Sequence, residues 1–598
     1  MNDQLNSTNE SPDFSQFTKN LTQIAEKSQQ IVQDFLSKQG GQASGAWPIP
    51  SNIGNAFLEM TQQMMANPTR LFEAQMELWQ GYLELWQHTT SRAMGVEAKP
   101  VIEPEESDRR FTHPEWDNNP MFAYIKQSYL LTSQWMQSLS SKAENLDPET
   151  ARKIDFYTRQ FVNAIAPSNF VLTNPEVLQA TIESRGENLV RGLQNLLEDL
   201  ESSKGQLQIM QTDPDAFKLG ENIAATPGKV VYQDDLMQLI QYEPTTKQAY
   251  QRPLLIIPPW INKYYILDLR EKNSFVRWAL DKGHTVFMIS WVNPDERYAG
   301  KAFEDYMYEG PLAAIDAIGK ATGEKQVNVV GYCIGGTLLA STLAHLAAKK
   351  DHRVHSATFL TTMVDFEEPG ELAVFIDEEQ LADLEAKMAK RGYLEGSEMA
   401  KTFNMLREND LIWSFVINNY LLGKEPFPFD LLYWNSDATR MPFKMHSFYL
   451  RNMYLENRLS KPGGITLGGT PIDLRKIKIP TYLLACREDH IAPWQSVYAA
   501  TQLYGGPNRF VLSASGHVAG VVNPPDKKKY SFWTAEENPE TAEAWLAEAS
   551  ATEGSWWTDW AKWIASQGGK KVEARLPGKG GLKAIEDAPG SYVKVKVS

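Results

Sequence analysis

The chain has 598 residues, 42% hydrophobic and 11% aromatic, which is enough for more than one domain around a sizeable core. A net charge of −15 argues against sequence-independent nucleic-acid binding, and the two cysteines, Cys333 and Cys486, exclude a disulfide framework while fitting a reducing cytosol. The nine histidines are scattered without an HExxH spacing, so no metal site is expected, the polar stretch 1–30 lacks a signal-peptide pattern, and no apolar run is long enough for a transmembrane segment.

In chain order, residues 1–50 are rich in Gln, Ser and Asn, and Phe14, Phe17, Leu21, Ile24, Ile31 and Phe35 approximate a helical spacing. That combination predicts a mobile amphipathic segment. From Thr69 to His88 the sets Leu71, Leu78, Leu85 and Phe72, Trp79, Trp86 each recur at heptad spacing, and Met76, Tyr82 and Leu83 widen the stripe. The pattern fits a helix packed on its own domain as well as one that binds a partner or a surface. Pro100, Pro104 and several glutamates mark 95–110 as a linker, and 117–203 reads as further helices. A mostly helical N-terminal domain over 1–205 follows.

Near Lys229 the texture changes. Val230-Val231-Tyr232 and Met237–Tyr242 resemble an antiparallel hairpin, and Leu254–Ile257 is a continuous apolar run of the kind buried on both faces of a sheet. Strand-like runs at 285–290, 327–330 and 357–361 then alternate with helical stretches, which predicts a mostly parallel sheet covered by helices. The alternation stops at about 366–464, a segment rich in acidic, aromatic and methionine residues that reads as a helical lid or cap insertion. It resumes at 480–485 and 509–512, completing a catalytic domain over 206–598.

The chemistry concentrates at Gly331-Tyr332-Cys333-Ile334-Gly335-Gly336, where a strand ends in a glycine-rich turn and a small-residue helix begins. This is the shape of a nucleophile elbow with cysteine in place of serine. The two later strands are followed by Arg487-Glu488-Asp489-His490 and by Ser515-Gly516-His517, so an acid and a base sit beyond C-terminal strand ends. The order Cys333, Asp489, His517 is that of an α/β-hydrolase triad, with Glu488 and His490 as rivals and Cys486 as inert core. The oxyanion hole would use the Ile334 amide and one from the loop Pro258–Lys263, either Trp260 or Ile261. Ile261 is assigned here as the donor and Trp260 as a substrate contact. Lys263 reads either as a phosphate contact or as a solvated side chain. A thiolate exchanging with a thioester is nearly thermoneutral, which favours acyl transfer from a thioester over ester hydrolysis.

These residues resemble the poly(3-hydroxyalkanoate) synthases, in particular the single-subunit class I type. The resemblance is carried by the elbow, by Pro258-Pro259-Trp260-Ile261-Asn262-Lys263-Tyr264-Tyr265, by Arg487–His490, by Gly516–Pro525 and by Gly554-Ser555-Trp556-Trp557, and it runs from about Ser107 to the C-terminus. It implies an α/β-hydrolase catalytic domain with a lid, and a Cys333–Asp489–His517 triad. The donor would be an (R)-3-hydroxyacyl-CoA of short chain, such as 3-hydroxybutyryl-CoA, added to a growing polyester. Arg407 would contact coenzyme A, a structural salt bridge being its other reading. The resemblance further implies a homodimer at cytoplasmic polymer granules, with granule-associated proteins meeting the N-terminal domain. Coenzyme A enters as part of the substrate and leaves as product, and no cofactor is expected. A cysteine-type thioesterase or polyester hydrolase of the same fold is the alternative.

Overall fold

Apolar β-branched runs bury both faces of a strand only inside a covered sheet, and here they assemble into one of eleven strands. The structure, a computed structural model, describes residues 19–20, 22–23, 27, 51–66, 68–96, 98–105, 108–142, 146–203 and 207–596. The amphipathic pattern expected within 1–50 therefore lies outside the described residues.

In chain order the strands are β1 Gly228–Gln233, β2 Met237–Tyr242, β3 Leu254–Ile257, β4 Val286–Trp291, β5 Val327–Tyr332, β6 Val354–Leu360, β7 Thr481–Cys486, β8 Asn508–Ser513, β9 Ser531–Thr534, β10 Ser550–Glu553 and β11 Glu586–Asp587. Across the sheet they lie in the order β10-β9-β8-β7-β6-β5-β3-β4-β2-β1-β11. The six from β3 to β8 form the parallel centre, and the flanking pairs are antiparallel, including the β1–β2 hairpin that the sequence predicts. The edge strands β10 and β11, and β9 next to β10, had no sequence signal, because they are short and β10 is exposed throughout. Two apolar cores sandwich the sheet, one centred on the elbow helix and the other on a C-terminal tryptophan cluster at Trp556, Trp557 and Trp560.

Chain contacts divide the molecule into two units, Met1–Asp213 with Arg407–Phe427, and Pro214–Leu406 with Pro428–Ser598. The grouping departs from a linear split at 205/206 in assigning part of the 366–464 insertion to the helical unit. The helices of that unit are α1 Ser51–Ala66, α2 Pro68–Ala93, α3 Pro120–Lys142, α4 Pro148–Ala164, α5 Pro175–Glu183 and α6 Glu187–Ser202. Asp147 and Asn174 cap α4 and α5, each accepting from the second and third helical amides, with proline at the first position.

Polar side chains of α6 hold the Arg407–Phe427 segment within this unit. Asn188 donates to Leu421 O at 2.8 Å and Asn195 to Asn419 O at 2.9 Å. Gly192 lies so close that a Cβ there would overlap the Tyr420 carbonyl. Gly192→Ala is expected to lower stability by about 1–3 kcal/mol through overpacking, read as a lower denaturant midpoint at unchanged slope.

Helix α2 turns Ala74 and Leu85 inward, while Phe72, Trp79 and Trp86 are 65%, 64% and 65% exposed and Met76 and Leu83 are exposed beside them. Among the described residues, Phe72, Trp79 and Trp86 thus stay largely exposed. Among the described residues no helix is long and apolar enough to cross a membrane.

Candidate active site

Strand β5 is buried along its length and ends at Tyr332, and the helix α7, Ile334–Ala348, begins one residue later. Cys333 makes the turn between them with φ 52° and ψ −126°, a conformation that a residue with a Cβ adopts only under constraint. The constraint is visible. The Cys333 amide donates to Leu360 O on β6 at 2.9 Å, and its carbonyl accepts from the amides of Gly336 at 2.8 Å and Thr337 at 3.2 Å. A Cβ on Gly331 would lie 2.6 Å from the Gly336 Cα, so the sharp turn requires glycine there. Nearly every side chain of α7 is buried, as expected of a helix apolar all round. The half-buried Cys333 thiol therefore stands on a fixed platform at the helix N-terminus.

The two partners come from the ends of neighbouring strands. Asp489 follows β7 and His517 follows β8, and His517 Nδ1 lies 2.7 Å from Asp489 Oδ2. The other carboxylate oxygen accepts from the amides of Ile491 and Ala492, both at 2.9 Å, which fixes the carboxylate plane. The Cys333 thiol also lies close enough to the imidazole to act on its titration. Burial pulls the His517 pKa down, but the charges on Asp489 and Cys333 and the hydrogen bond to Asp489 outweigh it, and the pKa is raised to about 10. That environment favours the imidazolium form of His517. The structure thus brings Cys333, Asp489 and His517 together. The second cysteine, Cys486, is fully buried at the end of β7, packed against Gly520, with its thiol pKa pushed up by burial and then by Asp489 and Glu488.

Two features of the site carried no sequence signal. The Tyr332 ring stacks on the His517 imidazole at 5.7 Å and 26°, and its hydroxyl donates to His517 O at 3.2 Å. Tyr449 and Tyr454 sit close enough to Cys333 to feel its charge, and both phenol pKa values are raised, chiefly by burial. Their separation from the elbow in sequence hides that proximity.

The remaining predicted residues are placed as follows. Ile334 is the first residue of α7, so its amide has no intrahelical acceptor. Ile261 lies in the loop after β3, and its carbonyl accepts from the Thr439 amide at 3.1 Å. The Trp260 ring is buried in the core against Trp291 and Tyr306. Arg407 is exposed, belongs to the segment grouped with the helical unit, and pairs with Asp410 at 2.5 Å. Lys263 is neither solvated nor open to a phosphate. It is buried, with Nζ donating to Val593 O at 2.7 Å and to Val595 O at 2.8 Å and paired with Asp437 Oδ1 at 2.8 Å.

The family model described as the N-terminus of poly-beta-hydroxybutyrate polymerase (PhaC) matches residues 107–279, and the model for the alpha/beta hydrolase fold matches 253–524. The chain is 50% identical to a poly(3-hydroxyalkanoate) polymerase of Methylorubrum extorquens, covering 98% of both chains. It is 49% identical to the polymerase subunit PhaC of Rhizobium meliloti, covering 94% of each, and 44% identical to that of Cupriavidus necator, covering 88% of this chain and 89% of that one. A thiol, an imidazole and a carboxylate converge at the strand ends of an α/β-hydrolase sheet, and relatives of near-equal length share the sequence throughout: the chain belongs to the poly(3-hydroxyalkanoate) polymerase family of acyltransferases.

Proposed function

We propose that this chain polymerises a short-chain (R)-3-hydroxyacyl-CoA, such as 3-hydroxybutyryl-CoA, through an acyl thioester on Cys333. The observation that carries the reading is His517, hydrogen-bonded to Asp489 and within the electrostatic reach of the elbow thiol in a member of a polymerase family. His517 takes the thiol proton, and the thiolate attacks the thioester carbonyl. The oxyanion that forms is met by the amides of Ile334 and Ile261. The carbon–sulfur bond to coenzyme A breaks, His517 returns the proton to the departing thiol, and the acyl group remains on Cys333. The hydroxyl of a bound acyl group or chain end then gives its proton to His517 and attacks the acyl-cysteine. A new ester forms and the thiolate is regenerated. Asp489 orients the imidazole and stabilises its charge throughout.

Incubation with (R)-3-hydroxybutyryl-CoA, following free thiol and acyl product together, tests the reading. Polymer with stoichiometric thiol is expected. Free hydroxy acid would instead identify a thioesterase, the rival chemistry of the same triad.

In the same reading Arg407 contacts the coenzyme A moiety, Trp260 shapes the acyl side of the site, and the chain works as a homodimer on cytoplasmic polymer granules. The exposed Phe72, Trp79 and Trp86 support a place for α2 at the granule surface or with its proteins, since large exposed apolar patches mark such contacts. Replacing all three by serine is expected to lower the granule-bound fraction without changing turnover in solution. An unchanged bound fraction would refute that role.

A further inference from the structure

The loop from Pro258 to Lys263 follows β3; the Trp260 ring packs into the core, and polar contacts to distant chain segments hold the rest. Trp434 Nε1 donates to Lys263 O at 2.7 Å, Asn262 Nδ2 donates to Asn435 O at 3.2 Å, and Thr439 Oγ1 donates to the Trp260 and Ile261 carbonyls. A cavity no larger than about one water molecule lies beside it, lined by Trp260, Lys263, Ser290, Trp291, Thr439 and Val593 among others. The remaining anchor is Lys263. An ammonium group has three protons, and all three are used: Val593 O, Val595 O and Asp437 Oδ1. Asp437 Oδ2 in turn accepts from the Tyr265 hydroxyl at 2.9 Å, and Val595 O also accepts from Asn293 Nδ2 at 3.3 Å. One buried cation thus joins the oxyanion loop, the 430–439 segment and the last turn of the chain.

We propose that Lys263 is a positioning residue that clasps the C-terminal tail and Asp437 together and thereby sets the oxyanion loop, making the tail carbonyls of Val593 and Val595 part of the catalytic apparatus. This inference rests on the acyl-Cys333 reading above. Without the clasp the loop keeps its sequence and its strand but loses the register of the Ile261 amide against the reacting carbonyl. A misplacement of that kind costs turnover more than binding.

The test uses the full chain with (R)-3-hydroxybutyryl-CoA and three variants: Lys263→Met, a chain ending at Tyr592, and the two combined. The shortened chain leaves the Lys263–Asp437 ion pair in place, so it reports on the clasp even where Lys263→Met destabilises the fold. Each single variant is expected to lose about 10- to 100-fold in kcat with KM changed by less than about threefold. The combination should be no worse than the poorer single variant, because both remove the same device. Alkylation of Cys333 by iodoacetamide needs the thiol and His517 but no oxyanion hole, and it should keep its wild-type rate in all three. A folded single variant with wild-type kcat would overturn the proposal. So would losses that multiply, or alkylation that falls in step with turnover, since each describes an ordinary structural contact. Turnover retained by Cys333→Ala would instead refute the proposed function and leave the clasp without a reaction to serve.

Discussion

Cys333→Ala is expected to abolish release of coenzyme A and polymer formation, a loss of at least about 10⁴-fold, the scale seen when a triad nucleophile is removed. The expectation follows from how much of the site converges on one sulfur. The strained φ of 52° aims the thiol, the β6 carbonyl and α7 amides hold that turn, and the sulfur acts on the titration of His517. Alanine keeps the turn and removes only the atom that forms the bond. Cys333→Ser is also expected to fail, because an alcohol gives up its proton far less readily than a thiol and an oxygen ester is a poorer acyl donor than a thioester. Cys486→Ala, by contrast, should retain turnover, since that thiol is sealed in the core and its pKa is raised, away from the reactive form. The assay follows thiol release from (R)-3-hydroxybutyryl-CoA, and polymer made by Cys333→Ala would overturn the proposed mechanism.

The parallel centre of the sheet was legible because strands buried on both faces must be written in apolar residues. Leu254–Ile257, Val327–Tyr332 and Thr481–Cys486 carry that signature, and reading the C-terminal ends of the last two pointed to the candidate nucleophile and acid. The strands at Ser531–Thr534, Ser550–Glu553 and Glu586–Asp587 were not legible: all are short, and the exposed edges formed by the last two place little demand on side-chain hydrophobicity. Lys263 was misread for a related reason. A lysine is expected in solvent unless paired, and two of its three partners are backbone carbonyls near the C-terminus, which have no identity in sequence. The grouping of Arg407–Phe427 with the helical unit likewise depends on Asn188 and Asn195 reaching backbone carbonyls, a pairing that no periodicity announces.

Asp489→Asn should separate the two things this carboxylate does for His517. Geometrically, the amide can still accept from Ile491 and Ala492, so the loop keeps its shape. Electrostatically, the charge that holds the imidazole proton is gone. In the intact site burial lowers the His517 pKa, and the charge of Asp489 is the foremost influence raising it, to about 10. Removing that charge leaves burial opposed only by Cys333, so the pKa must fall from about 10 toward or below the ordinary value near 6.5. In an Asp489→Asn, Cys333→Ala double variant neither negative partner remains, and burial should carry it below 6.5. The sign has a direct consequence for rate: near neutral pH the imidazole no longer holds the proton it must take from the thiol, and both acylation and chain transfer slow. A loss of about 10²- to 10⁴-fold in kcat is expected, the range in which orienting carboxylates of triads act. Titration of 15N-histidine signals reads the pKa, and turnover reads the rate. A variant whose His517 still titrates near 10, or whose turnover matches the parent, would show that the 2.7 Å contact between His517 and Asp489 is structural and that the imidazolium is held by something else.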